Sequence, residues 1–175
     1  MPEFYFDIET NGRVPSENRI VSIQYQRLSG YDGAPESDLV LMKEWESGEE
    51  AIVKSFAHTF LGQSNWDFIP IGQNLVFDFD FLKVKFNKYL GANLDLEFLR
   101  EKPWIDLKST LVMMNGGSFK GYDRIMGSAE GEGRMVPGWY ANKQYDLIEK
   151  YVRSEASNFI SKYQSLKRQL RGLKL

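Results

Sequence analysis

The chain has no cysteine. That excludes disulfides, zinc ribbons and thiol nucleophiles, and leaves the redox compartment open. It has a single histidine, His58. A Ser-His-Asp triad would have to use it, and no nucleophile-elbow motif accompanies it. His58 falls within a predicted helix and reads as an ordinary helix-face residue. There is no GxxxxGK phosphate loop. Basic charge is not in excess: the formal net charge is −2, so nucleic-acid binding must use a local patch. The N-terminus lacks the basic start and apolar run of a signal peptide, and no stretch reaches transmembrane length. Internal repeats and low-complexity tracts are also missing. These absences lead to an expectation of a soluble, cytoplasmic protein with no membrane partner.

What is present is a core. With 175 residues, 42% of them hydrophobic and 14% aromatic, the chain suits one domain, 1–175. Residues 4–10 (FYFDIET) read as a buried strand. Alternation puts Tyr5, Asp7 and Glu9 on one face and Phe4, Phe6 and Ile8 on the other. Residues 19–27 read as a second strand, with Val21, Ile23 and Tyr25 sharing a face, and 39–45 as a third. Short loops at 11–18 and 31–37 make these an antiparallel meander. Ser47 and Glu50 form a possible capping box for a helix to Leu61, stopped by Gly62. A fourth strand spans 67–72, and a helix spans 77–90, ending at Gly91. A short fifth strand follows at 104–107, with short helices at 107–114 and 122–126. Residues 128–138 form a glycine-rich loop. From Leu147 to Leu170 the apolar residues form one helical stripe. The whole predicts an α/β mixed five-stranded sheet, meander plus parallel strands, with helices on its faces.

Two carboxylates on a hydrophobic strand repel each other and are costly to bury unpaired. Without cysteine, and with one histidine, a hard divalent cation held by oxygens is the economical partner for Asp7 and Glu9. The plainer alternative is that the strand ends near Asp7 and its acids face water. Asp78 lies at a helix start, where an acid also answers the macrodipole. Asn74 has a plain reading as a turn residue. Glu155 interrupts the buried stripe of the last helix, so it too needs a partner.

The ordered set Asp7-Ile8-Glu9-Thr10, then Asn74-x-x-Phe77-Asp78-x-x-Phe81-Leu82, then Tyr151-x-x-x-Glu155 resembles the three exonuclease motifs of the DEDD superfamily. Those enzymes are 3′-5′ exonucleases on an RNase H-like fold. The tyrosine points to the DEDDy branch, and the chain is similar to stand-alone prokaryotic exonucleases related to the proofreading domain of family-B DNA polymerases. The other branch has a histidine five residues before the last acid, where this chain has Lys150. The resemblance implies catalytic Asp7, Glu9, Asp78, Tyr151 and Glu155, with two Mg²⁺ or Mn²⁺ ions on the four acids. Asp7 would bridge both ions, Glu9 and Glu155 would complete the nucleophile side, and Asp78 the leaving-group side. Tyr151 would orient water. Thr10, Asn11, Asn74 and Phe77 flank the acids and are the expected substrate contacts. The expected partner is single-stranded nucleic acid, DNA ahead of RNA, in a repair or proofreading setting.

One departure is Glu155, where the family usually has Asp. Tyr145-x-x-x-Glu149 has the same spacing, but Glu149 falls outside the stripe. Lys120, Arg124 and the basic tail at 161–175 are further candidates for phosphate contact. The tail also fits the solvated end of a terminal helix. The competing readings are a non-catalytic nucleic-acid-binding module, in which Glu155 misplaces a metal, and an endonuclease of the same fold, which gives Tyr151 no purpose.

Overall fold

The computed structural model describes residues 2–114 and 132–172. Its sheet has five strands: β1 (Glu3–Thr10), β2 (Ile20–Leu28), β3 (Val40–Lys43), β4 (Ile69–Gly72) and β5 (Ile105–Asp106). Their order is β3-β2-β1-β4-β5. β1 and β3 pair antiparallel to β2, while β4 pairs parallel to β1 and β5 parallel to β4. This is the expected mixed α/β sheet, with the acid-bearing strand paired on both edges.

Helices α1 (Glu44–Ser47), α2 (Glu49–Leu61), α3 (Leu75–Leu90), α4 (Leu96–Glu101), α5 (Leu107–Met114), α6 (Val136–Ala141) and α7 (Tyr145–Gly172) complete the described elements, with a 3-10 turn at Glu132–Met135. The alternation of β1 decides which layer meets which face. Phe6 and Ile8 enter a core with Phe56, Phe60, Phe81 and Phe86 of α2 and α3. Phe6 stacks on Phe56 with centroids 5.1 Å apart. Truncating a ring so buried costs about 3–5 kcal/mol. Tyr5, on the opposite face, packs with Ile71 against Ala156, Phe159, Ile160 and Tyr163 of α7.

Several boundaries differ from expectation. β3 stops at Lys43, and Glu44 and Trp45 begin α1. The capping box does not form. Gly48, at φ 87°, separates α1 from α2. Ser47 Oγ instead donates to the Lys43 carbonyl at 3.3 Å, and Glu50 accepts from Lys54 at 2.6 Å. Val21 leaves the face of Ile23 and Tyr25. A register shift between Glu9 and Thr10 pairs them with Ser22 and Ile20, so Val21 is the extra residue of a bulge. It packs with Val136, Ile148 and Val152. α4 was not foreseen; Asp95 caps it by accepting from Phe98 N at 2.9 Å. Residues 132–138 of the glycine-rich stretch are helical, not looped. In α3 Leu90 is exposed while Lys85 is buried, and Leu147 and Leu170, the ends of the expected stripe on α7, are exposed. The expected helix at 122–126, loop residues 128–131, Lys120, Arg124 and Lys174 lie outside the described residues. No helix among the described residues is long and apolar enough to cross a membrane.

Candidate active site

Three elements converge on the second half of β1. The strand itself presents Asp7 and Glu9 towards α7. Glu155 comes from the middle of α7, one turn past Tyr151. Each of Asp7, Glu9 and Glu155 offers a carboxylate oxygen within 4.8 Å of the others. Asp78, in the first turn of α3, is 2% exposed.

The electrostatics follow from this crowding. Burial pushes Asp7 well above its usual carboxylate range, and the Glu155 charge adds to it. Glu9 is raised by burial, then by Asp7, Glu155 and Asp78. Asp78 is raised by burial, then by Asp7, Asp106 and Glu155. Tyr151 is also raised, by burial first and then by the Glu9 and Glu155 charges; its hydroxyl hydrogen-bonds to Glu155. Among the described residues no lysine or arginine pairs with Asp7, Glu9 or Asp78. Among the described residues, Asp78 Oδ2 and Gln73 Oε1 are buried without a hydrogen-bond partner. An all-oxygen set with orphaned acceptors and excess negative charge fits a hard divalent cation.

Two clefts meet at these acids. One, of about 130 Å³, is lined by Tyr5, Asp7, Gln73, Asn74, Glu155 and Phe159. The other, of about 360 Å³, has Glu9, Thr10, Arg13, Phe77, Gly133 and Arg134 on its walls.

No protein-family profile and no curated protein sequence matches this chain. Solved structures do. Apo exonuclease I superposes with a TM-score of 0.54 at 13% identity, over 69% of this chain and 32% of its own. E. coli exonuclease I in complex with a dT13 oligonucleotide gives 0.55 at 14%, over 69% and 31%. The zinc-bound E. coli exonuclease I–ssDNA complex gives 0.55 at 14%, over 69% and 30%. The fold is RNase H-like. At this identity the likeness speaks for the fold alone, and the chain spans about a third of the length of these proteins.

Within this RNase H-like sheet the other sequence candidates separate. Asn74 adopts a left-handed φ of 59° at the start of α3. Its N–H donates to Asp106 Oδ1 at 2.9 Å, and its side-chain oxygen accepts from Lys108 Nζ at 2.7 Å. Thr10 Oγ1 donates to the Gly12 carbonyl at 2.6 Å. Phe77 is half-buried against Phe81, with centroids 5.1 Å apart, and its remaining surface lines the larger cleft. Asn11 lines neither cleft. Its side-chain oxygen accepts from Arg19 N at 2.7 Å and closes the turn after β1. Glu149 is bound at 2.7 Å to Lys43 and to Arg153, and Tyr145 stacks on Trp45 at 4.9 Å. That pair fastens α7 to β3 and α1, away from the acid cluster. His58 is exposed on α2.

Sequence reasoning missed four contributors. Gln24 Nε2 donates to Asp7 Oδ2 at 2.7 Å, and Ser22 Oγ donates to Gln24 Oε1 at 3.1 Å. Both are buried on β2, directly across from Glu9 and Asp7 in the register. The signal was available: two polar residues at alternate positions among the apolar residues that open the strand, Ile20, Val21, Ile23 and Tyr25. Asp106 accepts from the N–H groups of Asn74, Leu75 and Lys108 at 2.8–3.0 Å, tying the end of β5 to the start of α3. Gly133 passes so close to Tyr151 that a Cβ there would lie 2.8 Å from its hydroxyl. No local pattern marks that approach.

Proposed function

We propose that the chain is a single 3′-5′ exonuclease domain. It hydrolyses single-stranded or frayed DNA, with RNA as the second substrate class, and releases nucleoside 5′-monophosphates. The observation that carries this is the convergence of Asp7, Glu9, Asp78 and Glu155 from three elements, with no lysine or arginine on the first three among the described residues. The neighbours bound to oligonucleotides share this fold, which supports the substrate class. A cytoplasmic role in repair or proofreading accords with it.

Asp7, Glu9, Asp78 and Glu155 would hold two Mg²⁺ or Mn²⁺ ions. Such ions activate a water and stabilise the departing 3′ oxygen in phosphodiester hydrolysis. The protein's own part is orientation. Gln24, braced by Ser22, fixes one oxygen of Asp7. Tyr151 stays protonated at any working pH because its hydroxyl is raised above an already high value. It is therefore not a base; with its one proton given to Glu155, its oxygen is left as the acceptor that would position the attacking water. Its bond to Glu155 couples the two functional residues of α7. Thr10 and Phe77 on one side, and Asn74 on the other, border the path of the terminal nucleotide.

Glu155 in place of the usual Asp favours one rival, a binding module without turnover. The geometry argues against it: the longer side chain still brings its carboxylate into the group with Asp7 and Glu9. The deciding experiment uses a 5′-labelled single strand with Mg²⁺, Mn²⁺ or EDTA. A ladder shortening from the 3′ end, absent with EDTA and with Asp7→Ala, establishes the exonuclease. Binding without a ladder in either metal establishes the module.

A further inference from the structure

The larger cleft carries two side chains that the hydrolysis itself does not use. Arg13 and Arg134 stand on its walls. Both are exposed, and among the described residues neither makes an ion pair. They are far apart in the chain: Arg13 comes from the turn after β1, Arg134 from the 3-10 turn before α6. Each follows a glycine that packs without room for a side chain. A Cβ on Gly12 would lie 2.3 Å from the Asn18 side chain, as one on Gly133 would meet Tyr151. Asn18 is itself held, accepting from Val14 N at 2.9 Å and, through its carbonyl, from Lys85 Nζ at 2.5 Å. Both arginines therefore project from fixed backbone. The shape suits one kind of ligand. The buried Glu9 repels an anion from the floor, while two guanidinium groups attract it to the walls. Guanidinium forks match phosphate oxygens in geometry and charge. Phe77 on the same cleft offers a ring face for a base.

We propose that Arg13 and Arg134 clamp a backbone phosphate of the bound single strand, one other than the phosphodiester being cut, with Phe77 against the adjoining base. The substrate class rests on the exonuclease reading above; the clamp itself rests on the cleft.

The test separates the two. A fluorescent oligothymidylate with 3′-terminal phosphorothioate linkages is titrated with the protein in Mg²⁺ over a range of salt concentrations. Arg13→Ala and Arg134→Ala should each reduce the slope of log affinity against log salt, and the double variant, which leaves that one phosphate without a cation, should reduce it by about 0.7 in total, the single-strand value per neutralised phosphate. Arg→Lys at either position should keep the slope and weaken binding. Unchanged slopes in the alanine variants overturn the clamp. The 4-nitrophenyl ester of thymidine 5′-monophosphate, with one phosphodiester, gives the second arm. The alanine variants should lose more kcat/KM on a plain oligonucleotide than on this ester; an equal loss on both places the arginines at the scissile group and overturns the proposal. If the wild-type chain hydrolyses neither substrate but the slopes still fall, the clamp stands and the exonuclease reading fails. If hydrolysis is present and the slopes do not move, the reverse holds. No binding by the wild-type chain at low salt sinks both.

Discussion

Two of the places where the described residues bury carboxylate are handled in opposite ways. Glu49, on α2, is 6% exposed. Burial pushes its pKa up, but the Tyr89 hydroxyl at 2.6 Å, Ile20 N at 2.8 Å and Lys85 at 3.1 Å together bring it below its usual value. Every group has its partner within the chain. Asp7, Glu9 and Asp78 are pushed the other way by burial and by one another. Their neighbours add negative charge rather than cancel it. The same fold solves the problem fully at one place and leaves it open at the other, with α3 contributing to both. A completed network holds α2, α3 and β2 together. An uncompensated one marks where something from outside is to be bound.

The sharpest break in this comparison comes from removing a charge at each place. On the exonuclease reading, Asp7→Asn should lower 3′-end hydrolysis by about a thousandfold or more, since it would withdraw a proposed metal ligand. It should at the same time raise the melting temperature of the metal-free protein, because one repelling charge is gone. Oligonucleotide ladders and melts in EDTA read both. A stability loss in EDTA would mean the cluster is balanced by the fold after all. Glu49→Gln should do the reverse, costing about 3–5 kcal/mol because Lys85 is left buried and unpaired. Urea unfolding of Glu49→Gln, Lys85→Met and the double variant checks this. The double variant should cost less than the two singles added together.

How much of this was legible beforehand depended on the distance over which each signal acts. The acid strand, the stop at Gly62 and the stripe of α7 are local and periodic, and the sequence carried them. That Glu155, and not Glu149, lies with Asp7 and Glu9 was legible too, because an acid inside an apolar stripe is a local anomaly. Lys85 is the same kind of anomaly, on the inner face of α3, but its partner sits 36 positions away, at Glu49. Gln24 needed the β1–β2 register, which the bulge at Val21 resets. Gly133 and Arg134 needed the packing of a distant turn on Tyr151. Asn11, named for its place beside the acids, turns out to close its own loop, a role that short polar side chains in turns often take.

The two carboxylate sites should also part company with pH. For Asp7, Glu9 and Asp78 the folded values lie above the ordinary 3.8, 4.5 and 3.8. Their contribution to stability is whole below those ordinary values and is lost as pH rises through the folded ones. In EDTA, stability should therefore fall as pH climbs from about 4 towards neutrality, and Mg²⁺ should abolish the fall. Glu49 works in the opposite sense: its contribution is present above the ordinary 4.5 and is lost as pH drops through its lowered folded value. Melts across pH in EDTA and Mg²⁺, for the wild type and for Asp78→Asn, check the first trend. Curves that coincide with and without Mg²⁺ would show that no ion binds there.

The smallest effect concerns a buried cation and sets the scale for the others. Lys102 is 1% exposed; its Nζ donates to the Phe60 carbonyl at 2.8 Å and lies 4.5 Å from the Phe60 ring centroid. Burial lowers its pKa to about 8, and the Asp67 charge offsets that only in part. Between about 8 and 10.5 the unfolded chain keeps a proton that the folded chain has released. Stability must then rise with pH through that window, by at most ~3 kcal/mol. Lys102→Met removes the group, so the wild-type minus variant difference in unfolding free energy should climb across the window. A flat difference would mean that one carbonyl and a ring face suffice to hold a buried ammonium. It would also weaken the claim that burial is the largest cause of the raised carboxylates in the acid cluster.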